Sequence, residues 1–286
     1  MGTAFTRYSG EGPAVSHEDR LRLASAVISA AEIRRGGERD PTPISLGWSS
    51  RDDVQTTMME NAGADALRRG AIHEWIGIEP DDATGARTGG HMPLFIMLHA
   101  ARAALSIDDG LRGAPRTRLV WIGRACWPCP TALGRLLDRS LWIDPPDASS
   151  RLWATDLALR CTGVAAVIAD GSGLDMAGSR RLQLAAETGG TVGLIARQPR
   201  ELKALSAAAT RWVVSPVPAH SKRPRWTVDQ VRCKGARVTR EEPRRFVVEW
   251  DHAQGNLVVP AELAGRPAEA AGPGAGLAHG HARAAG

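Results

Sequence analysis

The stretch "VAAVIADGSGLDMAGSRRLQLAAETGGTVGLIAR", Val164 to Arg197, decides the fold of this chain. Its first seven residues are a short apolar run closed by Asp170 and a Gly-Ser-Gly turn, the pattern of a buried strand. "AGSRRLQLAAETGG" then carries apolar residues at helical spacing and stops at paired glycines, and "TVGLIAR" returns to an apolar strand. Strand, helix and strand in this order form a βαβ unit, whose two strands run parallel.

The same alternation extends upstream. "AIHEWIGI" alternates as a strand does, and Met92 to Leu105 places Leu94, Met97, Leu98, Ala101 and Leu105 on one helical face. "TRLVWIG" is read as a strand, "TALGRLL" as a helix, "SLWID" as a strand and "SSRLWATDLALRCTG" as a helix. The expected class is α/β, with a mainly parallel sheet flanked by helices. Beyond Arg197 the pattern changes to consecutive strands: "RWVVSPV", "RWTVDQVRC" and "RFVVEWDHAQGNLVVPAE", the last a hairpin turning at "HAQGN". Antiparallel strands are therefore expected after the parallel core.

The organisation that follows is an arm over residues 1–19, a domain over 20–263 and an Ala/Gly-rich tail over 264–286. The domain divides into an α/β core over 20–198 and an antiparallel extension over 199–263. It opens with "RLRLASAVISAAEIRR", an amphipathic helix ended by Gly36 and Gly37. The tail composition cannot build a core, so it is expected to be disordered.

Of 286 residues, 43% are hydrophobic and 23% charged, which suits a globular α/β protein. No apolar run approaches the roughly 20 residues that span a bilayer, and the first residues lack a secretory pattern, so a cytoplasmic protein without a membrane partner is expected. Four cysteines do not make a disulfide framework in that compartment; only Cys126 and Cys129 have metal-like spacing, and the second pair of a structural zinc site is absent. "CWPC" invites a redox reading, but no thioredoxin-like order of elements surrounds it. Trp121, Trp142 and Trp153 fall in elements expected to build the core.

The net charge is +5, yet between Arg197 and Arg245 there are 13 Lys/Arg against 4 Asp/Glu, so the remainder is slightly acidic. This asymmetry fits either a polyanion or acidic partner docking on one region, or a solvated basic face.

The strand, Gly-rich loop and helix of Arg68 to Leu105 have the frame of a phosphate loop, with Gly77, Gly85, Gly89 and Gly90 as its glycines. Such a loop needs a lysine for the β/γ oxygens and a hydroxyl for magnesium. The chain's three lysines are Lys203, Lys222 and Lys234, so none follows these glycines; Arg87 and His91 are the cations there. Tight triphosphate binding is not expected, and no cofactor is assigned.

The chain resembles the RecA core over roughly residues 20–260. "LRRGAIHEWIG" followed by a helix is similar to the entry to the Walker A loop, "RLVWIGRACWPC" to the second core strand, and "VAAVIADGSGL" to the Walker B strand. "SRRLQLAAETGGTVGLIARQ" resembles the helix and strand leading to the second DNA-binding loop, and "RWTVDQVRCKGAR" with the Phe246–Pro260 hairpin resembles the closing strands. The order of "VWIG…WP", "SRRLQLAAE", "RW-x-V" and "VRCKG" is more specifically similar to the ImuA family, a RecA-like or SulA-like branch.

The resemblance implies a non-catalytic accessory protein of damage-induced translesion synthesis. It would link an ImuB-like polymerase-fold protein and a DnaE-type polymerase to RecA or to DNA. Asp170 takes the Walker B position, where capping the "GSG" turn is the alternative to a metal role, and Ala125 falls about where the water-activating glutamate belongs. Arg180, Arg181, Arg200 and Lys203 inherit DNA contact from the RecA loops, while "HSKRPRW", with Lys222, Arg223, Arg225 and Trp226, and "VRCKGAR" are candidate docking surfaces for DNA or a protein. Lys222, Arg223 and Arg225, flanked by proline, are expected to be exposed. Two alternatives are an active DNA-dependent ATPase using Arg87 for the missing lysine, and a SulA-like inhibitor of cell division.

Overall fold

The computed structural model describes residues 43–48, 66–79, 92–106, 116–218, 223–235, 238, 243–253 and 255–260. The expected N-terminal arm, the helix from Arg20, Gly85, Gly89 and Gly90, Lys222 and the tail lie outside the described residues. In chain order the elements are β1 (Pro43–Ser45), β2 (Ala66–Arg68), β3 (Ala71–Gly77), α1 (Leu94–Ser106), β4 (Arg118–Ile122), α2 (Pro130–Leu133) and β5 (Ser140–Ile143). They continue with α3 (Ala148–Arg160), β6 (Val164–Asp170), α4 (Met176–Gly189), β7 (Val192–Arg197), β8 (Thr210–Val217), β9 (Arg225–Cys233), β10 (Arg244–Asp251) and β11 (Asn256–Val258).

Nine strands form one sheet in the order β11-β10-β9-β8-β3-β7-β6-β4-β5, and β1 pairs with β2 apart from it. The βαβ unit of Val164 to Arg197 folds as its periodicity requires. Asp175 caps α4 by accepting from the Gly178 N–H at 2.7 Å, and Gly190, at φ +63°, supplies the left-handed residue that ends it. β6 and β7 are parallel, so the helix must cross from the carboxyl end of one to the amino end of the other.

Two expectations need correction. β8, placed at the head of the antiparallel extension, runs parallel to β3 with His73 opposite Thr210; the first antiparallel pair is β8 with β9. The connection over 198–209 passes across β3 and returns on its far side, a crossover made without a regular helix. The "TALGRLL" helix lasts one turn and tightens into 3-10 geometry over Gly134–Arg139, because Gly134 adopts φ +53°.

The sheet is covered on both faces. Trp75, Trp121 and Trp212 are fully buried with Met97 and Ala101 of α1 on one side, where Trp75 and Trp212 stack at 5.3 Å. Ile72, Val167 and Ile195 meet Leu159 of α3 and Leu182 of α4 on the other. Trp142 stacks on Trp121, but Trp153 is 47% exposed on α3 and so does not belong to the core. Among the described residues no helix is long and apolar enough to cross a membrane.

His73 is buried in β3, with Nδ1 2.7 Å from the Thr210 hydroxyl and Nε2 3.0 Å from the Arg68 carbonyl. A neutral ring meets these neighbours in either tautomer: protonated at Nε2 it donates to the Arg68 carbonyl, and protonated at Nδ1 it donates to Thr210 and accepts from the Arg68 N–H, 3.2 Å from Nε2. Burial lowers its pKa from 6.5 to about 4. The unfolded chain therefore binds this proton more readily, and stability falls as pH drops from about 6.5 towards 4. A tenfold difference in proton affinity between the folded and unfolded chain is worth about 1.4 kcal/mol, so acidification from pH 7 to 4.5 is expected to remove roughly 2–3 kcal/mol through this group. Urea midpoints of the native chain and His73→Gln at both pH values check it: the variant should lose less stability on acidification.

Candidate functional site

In an open parallel sheet, ligand chemistry gathers at the carboxyl ends of the strands. Here those ends are Gly77 of β3, the Gly123 turn after β4, Asp170 of β6 and Arg197 of β7. Gly123 has φ +85°, and a Cβ there would lie 3.2 Å from the Asp170 Cβ, so the turn leaving β4 must be glycine to approach the aspartate. A cleft of about 290 Å³ opens beside Asp170 between the starts of α3 and α4, with Arg151, Thr155 and Ser172 in its wall.

Asp170 is committed to local structure. Its Oδ1 accepts from the Ser172 N–H at 2.9 Å and its Oδ2 lies 3.6 Å from Arg151. That is the turn-capping arrangement, and the guanidinium already balances the charge a cation would meet. Ala125 sits exposed in the 3-10 turn after β4, where a methyl group cannot activate water. The carboxylate at the end of β5, Asp144, is held by Arg124 at 2.6 Å. Gly77 ends β3 within the sheet, while the loop carrying Gly85, Arg87, Gly89, Gly90 and His91 lies outside the described residues.

The two thiols of "CWPC" are dissimilar. Cys126 is fully buried, and burial, assisted by the Asp170 charge, pushes its pKa far up. Cys129 is exposed, and its hydrogen bond with the Thr131 hydroxyl lowers its pKa.

The segments after β6 and β7, which the RecA resemblance turns towards DNA, are joined to each other. The Gly173 N–H donates to Glu201 Oε1 at 2.7 Å, Gln198 Nε2 to the Ser172 hydroxyl at 3.1 Å, and the Ala207 N–H to the Ser179 hydroxyl at 3.0 Å. Beneath them lies a buried charge network. Glu74 of β3 receives Arg211 at 2.6 Å and lies 3.7 Å from Arg197, which donates to the Leu174 carbonyl at 2.8 Å. Arg211 also donates to the Leu202 and Ala204 carbonyls, at 2.7 and 2.8 Å. The crossover is thereby pinned to the sheet.

The candidate binding residues separate into groups. Arg180 is exposed on α4, and Arg200 and Lys203 are exposed on the crossover; none of the three has an ion pair among the described residues. Arg181 instead reaches Asp156 at 3.1 Å beside Arg160 at 3.0 Å; burial alone would raise the Asp156 pKa, but these hydrogen bonds outweigh it and hold the carboxyl below its ordinary range.

Arg223, Arg225 and Trp226 belong to a different region. Arg225 opens β9 with a side chain 9% exposed and meets Glu249 at 2.8 Å, so the expectation of an exposed loop residue does not hold for it. Proline at 224 precedes the strand and leaves its ladder intact. Arg223 stays exposed, 3.6 Å from Glu249 and 3.8 Å from Asp251. Trp226 is buried, with its ring 5.9 Å from Phe95, which removes it from any stacking surface.

What sequence reasoning missed is the neighbourhood of Arg180. Together with Met176 and Leu184 of α4 it lines a groove whose opposite wall carries Arg232 and Lys234 at the end of β9. "VRCKG" was visible as a basic segment, but that it flanks α4 follows from β8 pairing with both β3 and β9.

No family model matches the chain. It is 30% identical over 222 residues to "Protein ImuA" of Caulobacter vibrioides, in strain NA1000 / CB15N and equally in strain ATCC 19089 / CIP 103742 / CB 15, a match covering 70% of this chain and 83% of the relative. Among solved structures it is similar to the RadB recombinase, with a TM-score of 0.48 and 10% identity, over 75% of this chain and 98% of that one.

Proposed function

We propose, from the premise that this chain belongs to the ImuA family, that it is a non-catalytic RecA-like accessory protein of damage-induced translesion DNA synthesis. Its work is to connect an ImuB-like protein and a DnaE-type polymerase with RecA or with DNA. The observation that carries the reading is the state of Asp170: the carboxylate where a RecA-like site would seat magnesium bonds its own turn and faces Arg151. Magnesium bound through one carboxylate relies on substrate phosphates as further ligands. No lysine follows β3 to hold those phosphates, and Ala125 offers no base. A RecA-type core without this chemistry retains its surfaces, and surfaces are what a bridging protein uses.

Titration of a fluorescent ATP analogue with magnesium is expected to give no saturable binding, whereas purified ImuB-like protein or RecA is expected to co-purify with the chain. Saturable analogue binding with turnover abolished by Asp170→Asn would instead establish the ATPase reading. Capture of the tubulin-like division protein with neither proposed partner would establish the SulA-like one.

A further inference from the structure

The groove beside α4 has a composition that specifies what it receives. α4 turns Leu182, Ala185 and Ala186 into the core, and the opposite side presents Met176, Arg180, Leu184 and Glu187 at three- and four-residue spacing. Met176 is 46% and Leu184 53% exposed, and Leu205, 78% exposed, stands next to the Ser206–Ala207 wall. Gln183 fixes the helix against the sheet, accepting from the Ile72 N–H at 3.0 Å and donating to the Gly70 carbonyl at 3.3 Å. The apolar surface is therefore held open on a rigid support.

Among the described residues its charge is net positive, three cations against the carboxylate of Glu187. Arg180, Arg232 and Lys234 line the groove without an ion pair among the described residues, whereas Arg181, on the next position of the same helix, is paired with Asp156. The carboxylate in the lining, Glu187, already accepts from Gln183 Nε2 at 2.9 Å. Three cations around aliphatic side chains call for an occupant with carboxylates flanking aliphatic anchors. Single-stranded nucleic acid fits less well, because base stacking needs aromatic faces and none lines this groove among the described residues. From Met176 to Glu187 the helix rises roughly 16 Å, the length of about three turns of a second helix laid alongside.

We infer that the groove formed by α4, the Ser206–Ala207 segment and the end of β9 is the docking site for an acidic amphipathic helix of a partner protein. Leucine-like anchors enter beside Met176 and Leu184, and flanking Asp or Glu side chains meet Arg180, Arg232 and Lys234. This is helix-in-groove recognition with the charge pattern supplying orientation. It rests on the bridging role proposed above and assigns that role a surface.

The test uses the full chain and a fluorescent synthetic peptide of roughly three helical turns, with leucines at three- and four-residue spacing and glutamates between them. A peptide of the same composition in scrambled order and a labelled oligothymidine serve as probes of the rival sources. Anisotropy is expected to saturate with the patterned peptide alone. Arg180→Glu with Arg232→Glu, or Leu184→Asp, should weaken it about tenfold or more, and Arg135→Glu, an exposed cation on the turn before β5, should leave it unchanged. All of these side chains are at least partly exposed, and unchanged thermal melts will show that the variants fold. Absence of saturation, equal binding of the scrambled peptide, insensitivity to the groove variants, or displacement by oligothymidine would each overturn the inference. Capture of the ImuB-like protein or RecA undiminished in the groove variants would overturn it too while leaving the bridging role intact; failure of the native chain to capture either removes that role, and the peptide titration still decides the groove.

Discussion

Arg211→Met is expected to destabilise the protein by about 3–5 kcal/mol, a large part of the 5–15 kcal/mol typical of a folded domain. Glu74 is fully buried in the central strand, and Arg211 approaches it through Nη2 at 2.6 Å and Nε at 2.7 Å. Without that guanidinium the carboxylate keeps, among the described residues, Arg197 at 3.7 Å, and a carboxylate in the core is left poorly compensated. The crossover loses its bonds from Arg211 to Leu202 and Ala204 at the same time. Urea midpoints of Arg211→Met, Glu74→Gln and the double variant will measure the coupling. The double variant should be more stable than Arg211→Met alone, because removing the charge removes the penalty of burying it. Midpoints unchanged by Arg211→Met would mean that this pair does not hold the crossover to the sheet.

Gly189→Ala is the second change with a large expected cost, and its sign discriminates between two effects. In an isolated helix the substitution would stabilise by about 1 kcal/mol. Here a Cβ at Gly189 would stand 2.0 Å from the Leu159 carbonyl oxygen and 2.8 Å from the Arg160 carbonyl carbon. Both are backbone atoms at the end of α3, which no rotamer change can move aside, so α3 and α4 must separate and loosen Leu159 and Leu182 between them and the sheet. A net loss of about 1–3 kcal/mol is expected after the helical gain is offset. A fall in melting temperature, against a rise for an exposed helical control such as Thr188→Ala, will establish that helix contact rather than propensity governs the position.

Both substitutions lie behind the groove. Gly189 sets how closely α4 lies against α3, and the Glu74–Arg211 pair holds the crossover that carries Leu205 and the Ser206–Ala207 wall. Weakening either would be expected to blur the site from beneath without touching a side chain that contacts a partner.

The division between sequence and tertiary structure follows the range of the interactions. The Val164–Arg197 unit is legible because its signals act within a few residues: an apolar run for β6, Asp175 to cap α4, Gly190 to end it. The absence of a lysine after β3 is likewise a property of the sequence, and with the order of motifs it pointed to the ImuA family. Asp170 as a turn cap was readable from its neighbours; its pairing with Arg151 required α3 to pack beside β6. The direction of β8 was not local, since the same eight residues satisfy either ladder and the crossover length decides which side of β3 they reach. "AIHEWIGI" was legible as a strand, but the burial of Glu74 within it was not, because Arg197, Arg211 and the crossover, all distant in the chain, close over it. Trp153 reads as core by composition and is exposed by the rotation of α3. The groove belongs wholly to the tertiary structure: Arg180 and Arg232 are far apart in the chain, and only the pairing of β8 between β3 and β9 sets their cations along the same line of exposed leucine and methionine.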